Sequence, residues 1–238
     1  IGGAVGKKFA QKGFHACLVR RSDSAELKNL VDSISADGFS SSGFLLNAIE
    51  EGKIEELVEN IEAEIGTIEA AFYNLGAQVG NKSLHETSYK TFERGWKLGT
   101  FGLFRLAHTL IPRMVDRKRG TIIVTSSTAA VRGNEQQHSH AAAMGGRRML
   151  CQTLNAEFGS KGIHIAHVIV DGAVEAPDTL GKMLGKEAFD KLKTERGGDK
   201  HGLLIPDHIA ESYLHLFNQH PSTWTHEMDL RSAKDIPW

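Results

Sequence analysis

The run Thr121-Ile122-Ile123-Val124-Thr125-Ser126-Ser127 decides the fold. Its first half is β-branched and apolar, which reads as a strand, and it ends in a cluster of hydroxyl side chains. Working outward, residues 139–158 have helical spacing and Ile163–Val170 is strand-like again. On the other side, residues 88–116 read as one long helix with the apolar face Phe92, Trp96, Phe104, Ala107 and Ile111, preceded by the short strand Ala70–Tyr73. The same alternation runs through the rest of the chain. Residues 1–12 read as a helix, Phe14–Val19 as a short apolar run, and Leu27, Leu30, Val31 and Ile34 mark a polar amphipathic helix. A strand near Phe39–Leu46 follows, then helical spacing at Ile54, Leu57, Val58, Ile61 and Ile65, and finally a helix Pro206–Phe217 with proline in its first turn. Strands and helices alternating in this way build a parallel sheet from β-α-β units. Residues 175–204, rich in Gly and Lys, read as one long irregular region suited to a lid or binding loop.

Bulk properties bound the function. The chain has 238 residues, 40% hydrophobic and 24% charged, which suits one sizeable domain. With 28 basic and 29 acidic residues the net charge is −1, so no electrostatic footprint points to nucleic acid or to an anionic membrane. Cys17 and Cys151 both lie in apolar periodic segments and read as buried, reduced thiols. No apolar run is long enough for a membrane span, and the expectation is a soluble, cytoplasmic protein. Ile1-Gly2-Gly3-Ala4 leads straight into a helical pattern with no strand before it. Because the first strand of a parallel sheet is normally central, a first strand and its early glycines are expected to precede Ile1.

Four short motifs follow one another in order. Gly2-Gly3 stands at a helix start, where glycine lets the helix pack close to a strand and turn its first amides toward a pyrophosphate; alone it reads equally well as an ordinary helix-start glycine. Asn74-Leu75-Gly76-Ala77 follows one strand, and Ser126-Ser127 end another. Ile163-His164-Ile165-Ala166-His167-Val168 and then Asp171-Gly172-Ala173-Val174 come later. Together they resemble the short-chain dehydrogenase/reductase family over essentially the whole chain. In that family the first motif reads G-x-x-x-G-I-G, of which Ile1-Gly2 would be the tail. The second reads N-N-A-G, the third ends in the catalytic serine, and the fourth reads P-G-x-V. The resemblance implies an α/β fold of Rossmann type: a doubly wound, mostly parallel sheet between two helical layers, one domain over residues 1–238. It also implies a dinucleotide held by Gly2, Asn74, Gly76 and Val174.

The departures from the family carry the chemistry. Where an acidic residue would bond the adenosine ribose of NAD, this chain has Val19-Arg20-Arg21-Ser22. A guanidinium fork suits a 2′-phosphate, which makes NADP(H) the implied cofactor; the plainer alternative is two solvated arginines at a strand end. Asn47 stands where the family usually has an aspartate against the adenine and keeps a donor and an acceptor there. The family's tetrad is Asn, Ser, Tyr, Lys, and the matching positions here are Gly99, Ser127, His140 and Met144. Met144 has neither the charge nor the donors of a lysine. Losing such a charge-assisted bond costs about 1.5–3 kcal/mol of cofactor binding. His140 has three readings: a catalytic acid needing no lysine helper, a polar group that binds substrate, or a helix residue with no role. His138 and His140 lack the spacing and neighbours of metal ligands, so no metal is expected. Arg147-Arg148 reads as the solvated face of the same helix.

The resulting expectation is an NADP(H)-binding oxidoreductase acting on a small carbonyl or alcohol, with Ser127 polarising the carbonyl and His140 as proton donor. Two rivals stand beside it: a retired or repurposed binding protein, and an acid/base isomerase or cyclase using His140. Fold does not choose among them. Met183, Leu184, Phe189 and Leu192 suggest a partly apolar pocket wall. Family members usually pair through the two long helices, here 88–116 and 139–158, so a homodimer or homotetramer is expected.

Overall fold

Strands β4 (Gly120–Ser127) and β5 (Ile163–Asp171) are buried along almost their whole length. Successive side chains of a strand point to opposite faces, and here both faces are apolar. Ile122, Val124, Ile163 and Ile165 pack into one core cluster, while Ile123, Ala166, Val168 and Val170 pack into another on the opposite side of the sheet. The two strands pair in parallel from Gly120↔Ile163 to Ser127↔Val170. β3 (Ala70–Tyr73) flanks β4 and β6 (Glu227–Arg231) flanks β5, giving a parallel sheet of order β3-β4-β5-β6. A second parallel pair joins β1 (Ala16–Arg20) to β2 (Ser41–Leu45). The structure, a computed structural model, describes residues 1–76 and 81–234.

Helices cover both faces. α1 (Gly2–Ala10) and α9 (Pro206–Phe217) contribute Val5, Phe9, Ile209, Ala210, Tyr213 and Leu216 to one cluster. α3 (Lys53–Asn60), α5 (Gly102–Arg117) and α6 (His138–Phe158) supply the other. α2 (Ser24–Ala36) packs Leu27 and Ile34 against β1, with the Asp23 side chain accepting from the Glu26 amide at its start. This is the three-layer arrangement the motif order implied. Among the described residues β1 pairs with β2 alone and β3 with β4 alone, so each keeps one edge without a strand partner.

Three segments differ from their expected form. The helix expected over 88–116 is built in pieces: α4 (Tyr89–Trp96), a π-helical turn Lys97–Phe101, and α5. Residues 175–204 are largely helical, with a π-turn Pro177–Gly181, α7 (Lys182–Leu184) and α8 (Lys186–Arg196). The glycines there punctuate helices instead of filling a loop: Gly185 has φ +82° at the start of α8, and Gly197 ends it. β6 was not anticipated, although Glu227-Met228-Asp229-Leu230-Arg231 alternates as a half-exposed edge strand should.

β5 and β6 meet at an ionisable pair, a buried histidine against a half-buried glutamate. His167 is wholly buried, and its Nδ1 lies 3.0 Å from Glu227 Oε2. Arg148 donates to the same carboxylate through Nε at 2.7 Å and Nη2 at 2.8 Å. Burial pulls the His167 pKa down to about 4, although Glu227 works the other way. An unfolded histidine takes up a proton below about pH 6.5. The neutral His167 therefore contributes fully above that pH, and its contribution is lost as pH falls toward 4. Thermal unfolding followed from pH 7 to pH 4 should show a smaller loss of stability for His167→Leu than for the parent chain. Identical slopes would mean that His167 is not held neutral.

Candidate active site

The residues singled out by sequence gather at the C-terminal edge of the parallel strands, where doubly wound sheets bind ligands. Gly2 opens α1, whose N-cap residue Ile1 makes no side-chain capping bond. A Cβ on Gly2 would lie 3.2 Å from Asn74 Nδ2, so the glycine lets the turn after β3 rest against the helix start. Gly2 and Asn74 thus meet at the start of α1, whose first amides would suit a diphosphate, and Gly76 stands beside open space. Ala77, the last residue of that motif, lies outside the described residues. Val174, just past the end of β5, forms a bridge with Leu204 and packs against the α1–α9 core.

At the end of β1 the two arginines differ. Arg20 donates from Nη2 to Glu26 Oε2 at 2.7 Å and is half-buried. Arg21 is exposed. Lys182 of α7 reaches the same place, 3.1 Å from Glu26 Oε1 and 3.8 Å from Asp23 Oδ2. Of the two guanidinium groups, Arg20 is therefore the one engaged by Glu26, while Arg21 faces solvent. Asn47, just past β2, uses its amide in its own turn, donating to Glu50 at 2.8 Å and accepting from the Ile49 amide at 3.4 Å.

Ser127 ends β4 in extended backbone, φ −143° and ψ 173°, and a 3-10 turn Thr128–Ala130 follows. Its Oγ lies 3.1 Å from Nε2 of His140, which the first turn of α6 carries. The tautomer decides which atom donates. Either way a proton can pass between a serine hydroxyl and an imidazole. Met144, one turn further along α6, is buried with Ala129 and Ala143 against Leu98 and Ala130. Its thioether accepts a long contact from Ser126 Oγ at 3.7 Å. Met144 serves there as apolar filling.

Gly99 lies in the π-turn between α4 and α5, and its carbonyl accepts from Arg147 Nε at 2.8 Å. Arg147 is only 2% exposed, so the expected solvated face is wrong for this residue. Arg148 is no free surface charge either, since Glu227 engages it. The burial of Arg147 had a signal in the spacing: His140, Met144, Arg147 and Cys151 recur at helical intervals, which puts them on one face of α6. Another contact was not anticipated. Thr128 Oγ1 donates to Asp171 Oδ1 at 2.5 Å, and Asp171 pairs with Arg231 at 3.1 Å, which ties the turn after Ser127 to the end of β5. Cys151 is buried and its thiol is pushed up to about 12 by desolvation, so it is no nucleophile. A cleft of about 790 Å³ lined by Lys118, Arg119, Asn155, Trp224 and His226 lies at the opposite end of β4 and includes none of these residues.

Residues 1–182 match the family model described as short chain dehydrogenase. An uncharacterized oxidoreductase of Bacillus subtilis is 27% identical over 200 residues, 84% of this chain and 72% of that one. A short-chain dehydrogenase from Rhodopseudomonas palustris superimposes with a TM-score of 0.78 at 27% identity, over 96% of this chain and 92% of its own. A metagenomic short-chain oxidoreductase in complex with NADP has a TM-score of 0.78 at 19% identity, over 98% of this chain and 91% of that one. From its glycine-led first helix to the serine that ends β4, the chain belongs to the short-chain dehydrogenase family.

Proposed function

We propose that the protein is an NADP(H)-dependent oxidoreductase acting on a small carbonyl or alcohol, with Ser127 and His140 as its catalytic pair. The observation that carries this is their 3.1 Å contact at the C-terminal edge of the sheet. Gly2, Asn74 and Gly76 would hold the diphosphate, with Arg21 on the 2′-phosphate. When bound, the nicotinamide supplies or takes the hydride. Ser127 hydrogen-bonds the substrate oxygen as charge develops on it, and the His140 imidazolium releases a proton to that oxygen. The paired position of these two side chains leaves neither tyrosine nor lysine necessary for the proton step. The two free thiols support a reducing, cytoplasmic setting.

A second reading has its own support. Met144 sits in an apolar cluster with no charge to offer a nicotinamide ribose. That favours a member that binds a dinucleotide without rapid turnover, and NADPH binding without consumption across a broad carbonyl panel would select it.

Self-association fits the surface of α4 and α5. Tyr89, Phe92, Trp96, Phe101 and Phe104 are all exposed there. The Trp96 and Phe101 rings stack at 5.2 Å, and Phe101 and Phe104 at 6.3 Å. A continuous aromatic strip of this kind suits burial against a second copy of the chain.

NADPH should bind more tightly than NADH in calorimetric titration, and Arg21→Asp should narrow or reverse the difference, whereas equal affinities in the parent would sink the 2′-phosphate assignment. With a turned-over substrate in hand, His140→Ala should remove most of the reductase rate and its decline with rising pH, and Ser127→Ala should cost roughly 10²–10³-fold. Full activity in His140→Ala would end the acid role. Met144→Lys should lower Tm by about 5–10 °C, because an ammonium enters the apolar cluster one turn from Arg147; an unchanged Tm would show that the position still accepts a lysine. Phe104→Glu should convert the particle to a monomer in light scattering, and an unaltered mass would remove the strip from the interface.

A further inference from the structure

The mechanism above makes no use of the most deeply buried cation of the pocket. Arg147 is 2% exposed, and each of its three kinds of guanidinium nitrogen has a partner. Nε donates to Gly99 O at 2.8 Å, Nη1 to Thr125 O at 2.5 Å, and Nη2 to Leu75 O at 2.8 Å. Its Cζ sits over the Tyr73 ring, 5.1 Å from the centroid. All three hydrogen-bond partners are backbone carbonyls, so no carboxylate neutralises the charge in this set. The ionisable groups that face it are Tyr73 from β3, Cys151 from its own helix, Tyr213 from α9 and His167 from β5, whose pKa burial pulls down to about 4. All of these stay neutral at pH 7, since burial pushes Tyr73 and Cys151 up to about 12 and Tyr213 in the same direction.

Those three carbonyls belong to three parts of the candidate site. Leu75 directly follows Asn74 in the turn that rests on Gly2. Thr125 lies two residues before Ser127 on β4. Gly99 is in the π-turn at the tetrad position where the family has asparagine. Three fixed donors in one plane can hold three separate segments at once, which a lysine in this place cannot do. The helix permits the approach: a Cβ on Gly146 would lie 2.8 Å from Thr100 Oγ1, so α6 and the π-turn touch at glycine.

Resting on the nucleotide-binding reading above, we infer that Arg147 is the positioning residue of this pocket, locking the nucleotide-side turn, the serine strand and the π-turn in register from one helical turn beyond Met144. The cation that the tetrad lost at position 144 has a counterpart at 147 that works through backbone and touches no reacting atom. Its loss frees the Asn74–Gly76 turn and the π-turn together.

The test compares Arg147→Met, Arg147→Lys and, as a control on the same helix, Arg148→Met, which breaks the Glu227 pair outside the pocket. Calorimetry with NADPH reads the nucleotide side, and hydrogen exchange of residues 74–76 and 97–101 in the nucleotide-free protein reads the positioning directly. Arg147→Met should weaken NADPH about tenfold or more and speed exchange in both segments. Arg147→Lys should recover part of each, and Arg148→Met should leave NADPH within about twofold even where it lowers Tm as much. If Arg147→Met does not fold, Arg147→Lys decides, and faster exchange in both segments supports the role. Unchanged exchange in the lysine variant, or equal losses of affinity in Arg147→Met and Arg148→Met, would overturn it. If the parent chain binds no dinucleotide, the functional reading fails on its own, and the exchange of the two segments still settles the part played by Arg147.

Discussion

A guanidinium enclosed by protein needs its donors satisfied, because an uncompensated buried cation costs several kcal/mol. Arg147 meets that demand with carbonyls from the turn after β3, from β4 and from the π-turn before α5. Much of the local architecture follows from it. The π-turn carries the Gly99 carbonyl that accepts from Arg147 Nε. α6 has to lie close enough for the side chain to reach β4, and small residues allow this at two places, Gly146 beside Thr100 and Gly95 beside Ser139. Tyr73 closes the space from β3, its hydroxyl donating to Leu98 O at 2.5 Å.

The same constraint accounts for the company His140 keeps. A lysine at position 144 would stand one turn from Arg147 on the same helix face, and like charges at that spacing repel. Methionine fills the volume without that conflict and packs with Ala129 and Ala143. With no ammonium to lower a tyrosine pKa, a phenol at position 140 would be a poor proton donor near neutrality, and an imidazole suits the altered surroundings better.

Much of this was legible in the sequence. β4 and β5 announced themselves as apolar, β-branched runs, and the order of the motifs implied the layered sheet. Ser127 and His140 were singled out because the resemblance places the family's serine and tyrosine at these two positions; their contact is seen only in the structure. Arg147 was missed by judging an Arg-Arg pair on composition, although its spacing from His140, Met144 and Cys151 marked it as inward-facing. Its carbonyl partners come from 22 to 72 residues away and leave no local trace. The pairing of Arg20 with Glu26 was hidden for a related reason, since a strand-end arginine reads as free until the first turn of α2 is placed beside it. Residues 175–204 read as irregular because glycines that stand at helix ends, such as Gly185 and Gly197, look in the sequence alone like loop residues.

A crystal structure of the protein with NADPH tests most directly the claim that this is a family pocket with its nucleotide cradle kept and its proton machinery rebuilt. The account predicts the diphosphate at Gly2 and Asn74, the 2′-phosphate on Arg21, and the nicotinamide beside the Ser127–His140 pair, with Arg147 still bonded to Gly99, Thr125 and Leu75. A dinucleotide bound elsewhere, or a nicotinamide half turned away from Ser127 and His140, would contradict it.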